Sequence, residues 1–539
     1  MQNNQTDRFT LTLAALIGTI VLALTLPGAK VLGAQGAADR GAFIVRINAT
    51  DTIAIERFTR TADSLQGSLS VKNSSRIEYV VSFSAPDVVR TLSMSVFRSG
   101  ATADEAPSTR VELTMKGDSA IADVQGTMQR LGTKARAIPA INLSIAIFET
   151  FTRRARAGGG TTEEPYFAVA GGVTLPITIK PEGPDSLIAT IQGQVHRFRA
   201  DATGRILGGI LPSQKLEFLR VDAATAERLA IGKPDYSAPP NAPYTAEEVA
   251  LKGPGGFPLG GTLTLPKNAR GRVPAIVTIT GSGQQDRDEY IPVAGGYRPF
   301  RQLADTLGRR GIAVLRLDDR TIGASGGQIG TSADYADDIR AAILYLCARP
   351  DIDGARLGLV GHSEGGMIAP LVASTDSALK GIVLLAGPAY NGLDIIRFQQ
   401  KNLVDHDTSI APAKRDSALK AVTAHFDSLA GKDVWLKFFL SYDPLTTARK
   451  VKVPALILQG RTDQQVTFEQ AEKLGAAMRA GGNKDVTVRV FPELNHLFIH
   501  DPDGSPLGYG RLPTNKVDAA VLGAAADWLV LKLGAKSSM

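Results

Sequence analysis

The stretch "RLGLVGHSEGGMIAPLVAS", residues 356–374, contains the pattern Gly-x-Ser-x-Gly centred on Ser363. The apolar run "RLGLV" before the pattern is typical of a buried strand, and "GMIAPLVAS" after it is typical of a helix. Because the chain contains 55 glycines, the five-residue pattern alone is weak. The order strand, glycine-flanked serine, helix is more specific. It predicts a sharp turn that exposes the Ser363 hydroxyl at the N-terminus of a helix.

Strands and helices alternate on both sides of this turn, from about residue 245 to the end of the chain. The strand patterns are "AIVTIT", "IAVLRLD", "RLGLVG", "GIVLLAG", "ALILQG" and "VTVRVF", preceded by a hairpin pattern in "EVALKG" and "PLGGTLTLP". Apolar strands separated by helices predict a mostly parallel sheet that is covered on both faces. We therefore expect one α/β domain over residues 244–539. The mostly helical residues 389–450 are long enough to form a lid above the sheet.

The preceding part of the chain has a different pattern. From about residue 40 to 222, apolar and polar residues alternate with period two in runs such as "DTIAIERFTR" and "RIEYVVSFS". This pattern predicts an antiparallel β-rich accessory domain over residues 37–232, built as a sandwich or an open barrel. One helix is expected around "INLSIAIFETFTRRAR", and His196 is expected to be a partly exposed strand residue. The stretch "KPDYSAPPNAPY" predicts a linker at residues 233–243.

The N-terminal residues 1–36 have the parts of a secretory signal peptide. Arg8 precedes the apolar run "FTLTLAALIGTIVLALTLPGA", and small residues follow it. An uncleaved membrane anchor is the alternative, because the run is near the length that spans a bilayer. Both interpretations predict an extracytoplasmic protein, periplasmic or secreted, with membrane contact only through this segment.

Composition narrows the possible functions. The net charge is +7, but no Lys/Arg stripe interleaved with aromatic residues is present, so we expect no nucleic-acid partner. Cys347 is the single cysteine, which excludes an intramolecular disulfide and a cysteine-based metal site. It lies in the helical pattern "DIRAAILYLCARP", and we expect its thiol to be buried.

A serine hydroxyl needs a nearby base to act as a nucleophile, and the base needs an orienting acid. After a strand–turn–helix serine, the acid and then the histidine are expected in loops that follow later strands. Asp463 follows "ALILQG", and His496 follows "VTVRVF", so both positions and their order agree. The alternatives fit less well: His500 is farther from the strand end, and His362 beside the serine is expected to be structural. The other candidates lie in the insert or out of order, namely His406, His425, Asp318, Asp319, Asp501 and Asp503. We also expect Asp318 to pair with Arg320.

The loop after "AIVTIT" reads "GSGQQDRDEY", residues 281–290. Its glycines permit a tight turn, and we predict that the backbone N–H groups of Ser282 and Glu364 form an oxyanion hole. A dinucleotide-binding loop is disfavoured, because Asp286 stands where G-x-G-x-x-G requires its third glycine.

Residues 245–535 resemble the α/β-hydrolase superfamily, in the esterase branch grouped with serine aminopeptidase-like hydrolases. The resemblance lies in "EEVALKGPGGFPLGGTLTLP", "TGSGQQDRDE", "RRGIAVLRLDDR", "GHSEGG" and "GRTDQQV". It implies cleavage of small-molecule acyl esters through an acyl-serine intermediate, without metal or cofactor. Ser363 would be the nucleophile, His496 the base and Asp463 the orienting acid. The chain departs from the family pattern at Thr321, which replaces a glycine, and at Gln284, which replaces a proline.

Two other functions remain open from the sequence. The first is a peptidase or amidase that uses the same three residues, with Glu364 or Asp405 available to bind a substrate amino group. The second is a binding protein that carries an inactive hydrolase domain.

Overall fold

The computed structural model describes residues 38–49, 51–72, 74–98, 105–191, 194–406, 412–430 and 434–535. The described residues form two compact units, and the boundary lies between Pro234 and Asp235. The predicted signal peptide or anchor, residues 1–36, lies outside the described residues. In the ranges given above, no helix is long and apolar enough to cross a membrane.

The N-terminal unit is built on a single 15-stranded sheet. Its strands are β1 (Asp39–Ile47), β2 (Asp51–Arg60), β3 (Ser64–Val71), β4 (Ser75–Ala85), β5 (Val88–Arg98), β6 (Thr109–Lys116), β7 (Ser119–Val124), β8 (Thr127–Gly132), β9 (Ile138–Ala140), β10 (Thr162–Ala168), β11 (Val173–Pro181), β12 (Ser186–Ile191), β13 (Gln194–Ala200), β14 (Ile206–Leu211) and β15 (Leu216–Asp222). The spatial order runs from β8 back to β1, then from β15 back to β9. Among the described strands every adjacent pair is antiparallel except β9 with β10.

The helix α1 (Ile145–Gly158) packs against strands from both halves of this sheet, β2 and β3 on one side and β9 to β11 on the other. Ser144 caps its first turn by accepting a hydrogen bond from the Ile147 N–H. Glu149 is buried in α1 and forms ion pairs with Arg153 and Arg220. The sheet thus curves around a helix whose buried charge is paired. A short helix, α2 (Ala223–Arg228), follows β15.

The C-terminal unit contains an eight-stranded, mixed sheet. Its strands are β16 (Tyr244–Lys252), β17 (Pro258–Pro266), β18 (Val273–Ile279), β19 (Ala313–Leu317), β20 (Ile352–His362), β21 (Gly381–Leu385), β22 (Ala455–Gly460) and β23 (Val486–Phe491). The spatial order is β16-β17-β19-β18-β20-β21-β22-β23. Strands β16, β17 and β19 pair antiparallel, and all later neighbours pair parallel.

Helices cover both faces of this sheet. They are α3 (Pro299–Gly308), α4 (Ser332–Ala348), α5 (Gly365–Ala373), α6 (Gly392–His406), α7 (Arg415–Ala430), α8 (Val434–Ser441), α9 (Pro444–Ala448), α10 (Glu469–Ala480) and α11 (Ala519–Leu533). One apolar layer joins the sheet to α4, α5 and α10, and the other joins it to α3 and α11. The central strands are buried on both faces, which explains why their sequences are continuous apolar runs.

Helices α6 to α9 form an insert between β21 and β22. Ile395 of α6 and Phe439 of α8 pack on Met367 of α5, in an apolar cluster that includes the half-buried ring of Trp435. The insert therefore rests on the helix that begins just after Ser363.

The prediction that the Cys347 thiol is buried was wrong, because the side chain is exposed. The buried face of α4 is formed by Ile339, Ile343 and Leu346, spaced three and four residues apart. Cys347 falls outside that stripe, since one residue along a helix rotates the side chain by about 100°.

Candidate active site

Ser363 lies between the end of β20 and the start of α5, with φ at +53°. The two flanking glycines make this turn possible. A Cβ on Gly361 would lie 2.0 Å from the Gly365 carbonyl oxygen, and a Cβ on Gly365 would lie 2.1 Å from the Ile279 carbonyl oxygen. A non-glycine residue with positive φ is strained, and such strain concentrates at functional sites.

Asp463 and His496 are both buried, in the loops that follow β22 and β23. The His496 Nδ1 lies 2.8 Å from the Asp463 Oδ2, which also accepts a hydrogen bond of 2.8 Å from the Gln459 amide. Asp463 Oδ1 accepts from the backbone N–H groups of Gln465 and Val466, at 2.7 and 2.9 Å. The carboxylate is therefore fixed, and it holds His496 in the tautomer with hydrogen on Nδ1. Nε2 then keeps its lone pair, as a general base requires.

His496 also lies against the turn that carries Ser363. The ring centroids of His496 and His362 are 4.9 Å apart, and His362 immediately precedes Ser363. The His362 Nε2 lies 3.0 Å from the His496 carbonyl oxygen. The three residues predicted from separate parts of the sequence are therefore brought to one edge of the sheet.

The loop at residues 281–283 borders the same turn. A Cβ on Gly281 would lie 3.2 Å from the Ser363 Cβ, so only glycine allows the loop to come this close without displacement. Ser282 is exposed, whereas Glu364 is buried at the start of α5. The two predicted N–H donors thus lie on the loop and on the helix N-terminus that flank Ser363.

Asp319 holds this loop in place. Its carboxyl accepts hydrogen bonds from the Thr280 hydroxyl at 2.8 Å and from the Gln285 N–H at 2.9 Å, on either side of the glycines. Burial raises the pKa of the Asp319 carboxyl well above its ordinary value, although these hydrogen bonds oppose the shift.

The Glu364 side chain links the turn to the helical insert. Its Oε1 accepts hydrogen bonds from the Ser332 hydroxyl at 2.6 Å and from the Trp435 indole N–H at 2.7 Å. Burial raises the pKa of the Glu364 carboxyl, and the hydrogen bonds lower it in part. Glu364 is thus occupied by donors from α4 and α8.

Residues 262–478 match the family model BD-FAE, a range that includes Ser363 and Asp463. Esterase EstD of Thermotoga maritima is 28% identical over 312 residues, which are 55% of this chain and 70% of that protein. The C-terminal unit is thus similar to the esterase branch of the α/β-hydrolase superfamily. The predicted family resemblance is thereby confirmed for the C-terminal unit, whose mixed sheet and covering helices are those of this superfamily.

Other relatives match more partially. Dipeptidyl aminopeptidase BIII of Pseudoxanthomonas mexicana is 26% identical over 311 residues, which are 52% of this chain and only 40% of that protein. The solved structure of the Pyrococcus furiosus esterase Pf2001 is 18% identical with a TM-score of 0.36, covering 48% of this chain and 86% of that chain.

The remaining candidate residues take other places in this hydrolase. His500 is exposed and lies 3.3 Å from the Glu493 carboxylate. The prediction that Asp318 pairs with Arg320 was wrong. Arg287 forms a two-pronged ion pair with Asp318, at 3.0 and 2.8 Å, and Arg320 pairs instead with Asp338 on α4. Arg320 does not pair with Asp318 because its side chain extends toward α4, whereas Arg287 reaches Asp318 from the neighbouring loop.

Two buried side chains at the site were missed by the sequence reasoning. Glu289 lies 2.7 Å from the His362 Nδ1, and the Tyr297 hydroxyl donates a hydrogen bond of 2.6 Å to the Leu497 carbonyl. Glu289 closes the family-like stretch "TGSGQQDRDE", which was the available signal. Within the described part of the chain, no three His, Cys, Asp or Glu side chains are grouped to hold a metal ion.

Proposed function

We propose that this chain is an extracytoplasmic serine esterase that cleaves carboxylic esters of small molecules. The observation that carries the proposal is the Asp463–His496 pair, held at 2.8 Å beside the strained turn of Ser363. A buried carboxylate, an oriented imidazole and a partly exposed serine are the groups that acyl transfer to serine requires.

The reaction proceeds in two halves. His496 Nε2 takes the hydroxyl proton while Ser363 Oγ attacks the ester carbonyl carbon, and the carbonyl electron pair moves onto oxygen. The N–H groups of Ser282 and Glu364 stabilise this oxyanion, and one such donor typically contributes about 10²- to 10³-fold in rate. When the tetrahedral intermediate collapses, the alcohol leaves with the proton from His496. Water then attacks the acyl-serine by the same route and releases the acid.

We assign the helices α6 to α9 as a lid over this site. The apolar cluster under α6 and α8 and the Trp435–Glu364 hydrogen bond support this role. The N-terminal unit is proposed as an accessory domain. Because residues 1–36 have the pattern of a signal peptide or anchor, we expect the enzyme to act outside the cytoplasm.

Peptidase activity on the same residues is the second candidate, because a dipeptidyl aminopeptidase is among the relatives. An aminopeptidase needs an anionic group that is free to bind the substrate ammonium. The Glu364 carboxylate is buried and already accepts from Ser332 and Trp435, which favours ester over aminoacyl amide substrates.

The test is a panel of p-nitrophenyl acyl esters and aminoacyl anilides on the purified protein, with Ser363→Ala beside it. We expect hydrolysis of the esters, little of the anilides and none of either by the Ser363→Ala variant. A variant that retains the ester activity would refute the nucleophile. A folded wild-type protein that hydrolyses nothing and resists fluorophosphonate would support the binding-protein alternative.

A further inference from the structure

We propose that Glu289 and His362 are a second carboxylate–imidazole pair that positions the catalytic machinery. The pair holds the 281–283 loop and the His496 loop against the turn of Ser363. This inference rests on the proposed function, because it assigns these two residues to the accuracy of acyl transfer at Ser363. Neither side chain touches the reacting atoms in the proposed reaction, so both are positioning residues.

Glu289 joins two of the three segments. Its Oε1 accepts a hydrogen bond of 3.2 Å from the Gly281 N–H, at the start of the proposed oxyanion loop. The same oxygen lies 2.7 Å from the His362 Nδ1. Glu289 and His362 are 1% and 3% exposed, so no bulk water competes for these contacts. One buried oxygen thus fixes both the oxyanion loop and the residue before the nucleophile.

His362 joins the third segment. Its Nε2 lies 3.0 Å from the His496 carbonyl oxygen, and a carbonyl can only accept, so Nε2 carries a hydrogen. An ionised carboxylate can only accept, so beside it the Nδ1 that faces Glu289 Oε1 carries a hydrogen too. Paired with the Glu289 carboxylate, His362 is then the imidazolium, in which both ring nitrogens donate.

The groups around His362 are consistent with that charge. Burial lowers the pKa of His362, but the Glu289 charge and hydrogen bond, with the His496 carbonyl and Asp463, raise it above its ordinary value overall. The titratable groups around the ring are Glu289, His496, Asp463 and Tyr297. Apolar side chains that line the same cavity include Phe300, Leu385 and Phe498. Burial raises the pKa of Tyr297 well above its ordinary value, so its hydroxyl stays neutral.

Loss of the His362 proton has a defined consequence. Above the raised pKa of His362, the remaining hydrogen stays on Nδ1, because the hydrogen bond to the Glu289 carboxylate is the stronger of the two. Nε2 then presents a lone pair to the His496 carbonyl oxygen at 3.0 Å, and the His496 loop loses its hydrogen bond to His362. A displacement of about 1 Å in a catalytic group lowers rate by about 100-fold. We therefore expect an alkaline decline of kcat that follows the His362 proton.

The experiment compares His362→Phe, His362→Gln and the wild type with p-nitrophenyl acetate from about pH 6 to 10. His362→Phe keeps the ring volume among apolar neighbours but donates no hydrogen bond. We expect its kcat to fall about 10- to 100-fold with KM within about threefold, and its alkaline decline to disappear. His362→Gln should recover part of kcat, because its amide can still donate one hydrogen bond, and it should also lack the alkaline decline.

Two controls match these variants. Tyr297→Phe removes a buried hydrogen bond to the Leu497 carbonyl, on the loop that carries His496. It therefore tests whether loss of any hydrogen bond to this loop has the same effect as loss of His362. Even where its kcat falls, its alkaline decline should stay at the wild-type pH. His500 is exposed and, like His496, follows β23. The His500→Gln variant should have the kcat, KM and alkaline decline of the wild type.

Equal kcat in His362→Phe and wild type, or the same alkaline decline in both, would overturn the inference. If His362→Phe does not fold by circular dichroism, Glu289→Gln decides. Loss of the carboxylate charge should move the alkaline decline to lower pH, and an unmoved decline contradicts the pairing. Ser363→Ala separates the two proposals: if it abolishes activity while the His362 variants behave like wild type, only the positioning role fails.

Discussion

Replacement of Asp463 by Asn is the perturbation whose effect follows most closely from the structure. The side chain keeps its shape but exchanges one acceptor oxygen for an NH₂ donor. Asp463 Oδ1 serves two backbone N–H groups, of Gln465 and Val466, and Oδ2 serves the His496 Nδ1 and the Gln459 amide. The new side-chain amide of the Asp463→Asn variant can therefore accept hydrogen bonds on only one of these two sides.

The two orientations differ in cost. If the amide nitrogen replaced Oδ1, two buried backbone N–H groups would face a donor, at about 1 to 3 kcal/mol each. If it replaces Oδ2, both backbone hydrogen bonds remain, and the NH₂ group faces the His496 Nδ1 and the Gln459 amide, so the Gln459 amide is the one buried donor that loses this acceptor. The imidazole therefore changes tautomer: Nδ1 becomes the acceptor and the hydrogen lies on Nε2. Nε2 can then no longer act as the base that Ser363 needs. The second orientation has the lower free energy, because both backbone hydrogen bonds are kept. The variant should therefore fold but hold His496 in the wrong tautomer.

The expected loss in kcat is about 10⁴-fold, the size that a wrong histidine tautomer causes in serine proteases, or about 5.4 kcal/mol in the activation barrier. The assay is steady-state hydrolysis of p-nitrophenyl acetate at about pH 7.5, with thermal unfolding to check the fold. Asp503→Asn is the matched control, because Asp503 is exposed and follows His496 on the same loop. A kcat for Asp463→Asn within about tenfold of the wild type would refute the tautomer reasoning.

Two further predictions concern stability. Thr321 has φ at +74° and a buried hydroxyl with no hydrogen-bond partner among the described residues, so Thr321→Gly should relieve about 1 to 3 kcal/mol of strain. After the backbone entropy of glycine, about 0.5 to 1 kcal/mol, the melting temperature should still rise, and a fall in calorimetry would contradict this. His196 packs on Phe148 and Phe198, at 5.9 and 6.0 Å between ring centroids, and burial lowers its pKa to about 4. As the pH drops from about 6.5 to 4, the unfolded state binds the His196 proton before the folded state does, so the free energy of unfolding should fall. In urea titrations, His196→Phe should reduce that fall. The same pH dependence in His196→Phe and the wild type would contradict this prediction.

Much of the C-terminal unit could be predicted from the sequence, because each central strand is a continuous apolar run and each candidate residue follows one. Parallel strands end at the same edge of a sheet, so serine, aspartate and histidine in successive loops converge without further information. Gly361 and Gly365 are also explained by local geometry, since neither turn position leaves room for a Cβ.

The missed features depend on distant contacts. Glu289 and His362 are 73 residues apart, and no periodicity links a loop carboxylate to a histidine at a strand end. The same limit applies to Asp318, whose partner Arg287 comes from another loop. In the N-terminal unit, alternation predicted an antiparallel β-rich domain. It did not show that one curved sheet surrounds α1, because a period of two says nothing about what covers the buried face.

Covalent labelling is the direct test of whether Ser363 is the nucleophile. The protein is treated with a fluorophosphonate probe, digested, and mapped by mass spectrometry, with Ser363→Ala and Asp463→Asn treated in parallel. We predict a single modified peptide that carries the label on Ser363, slower labelling in Asp463→Asn and none in Ser363→Ala. Label on another serine, or undiminished labelling and ester hydrolysis in Ser363→Ala, would show that Ser363 is not the nucleophile.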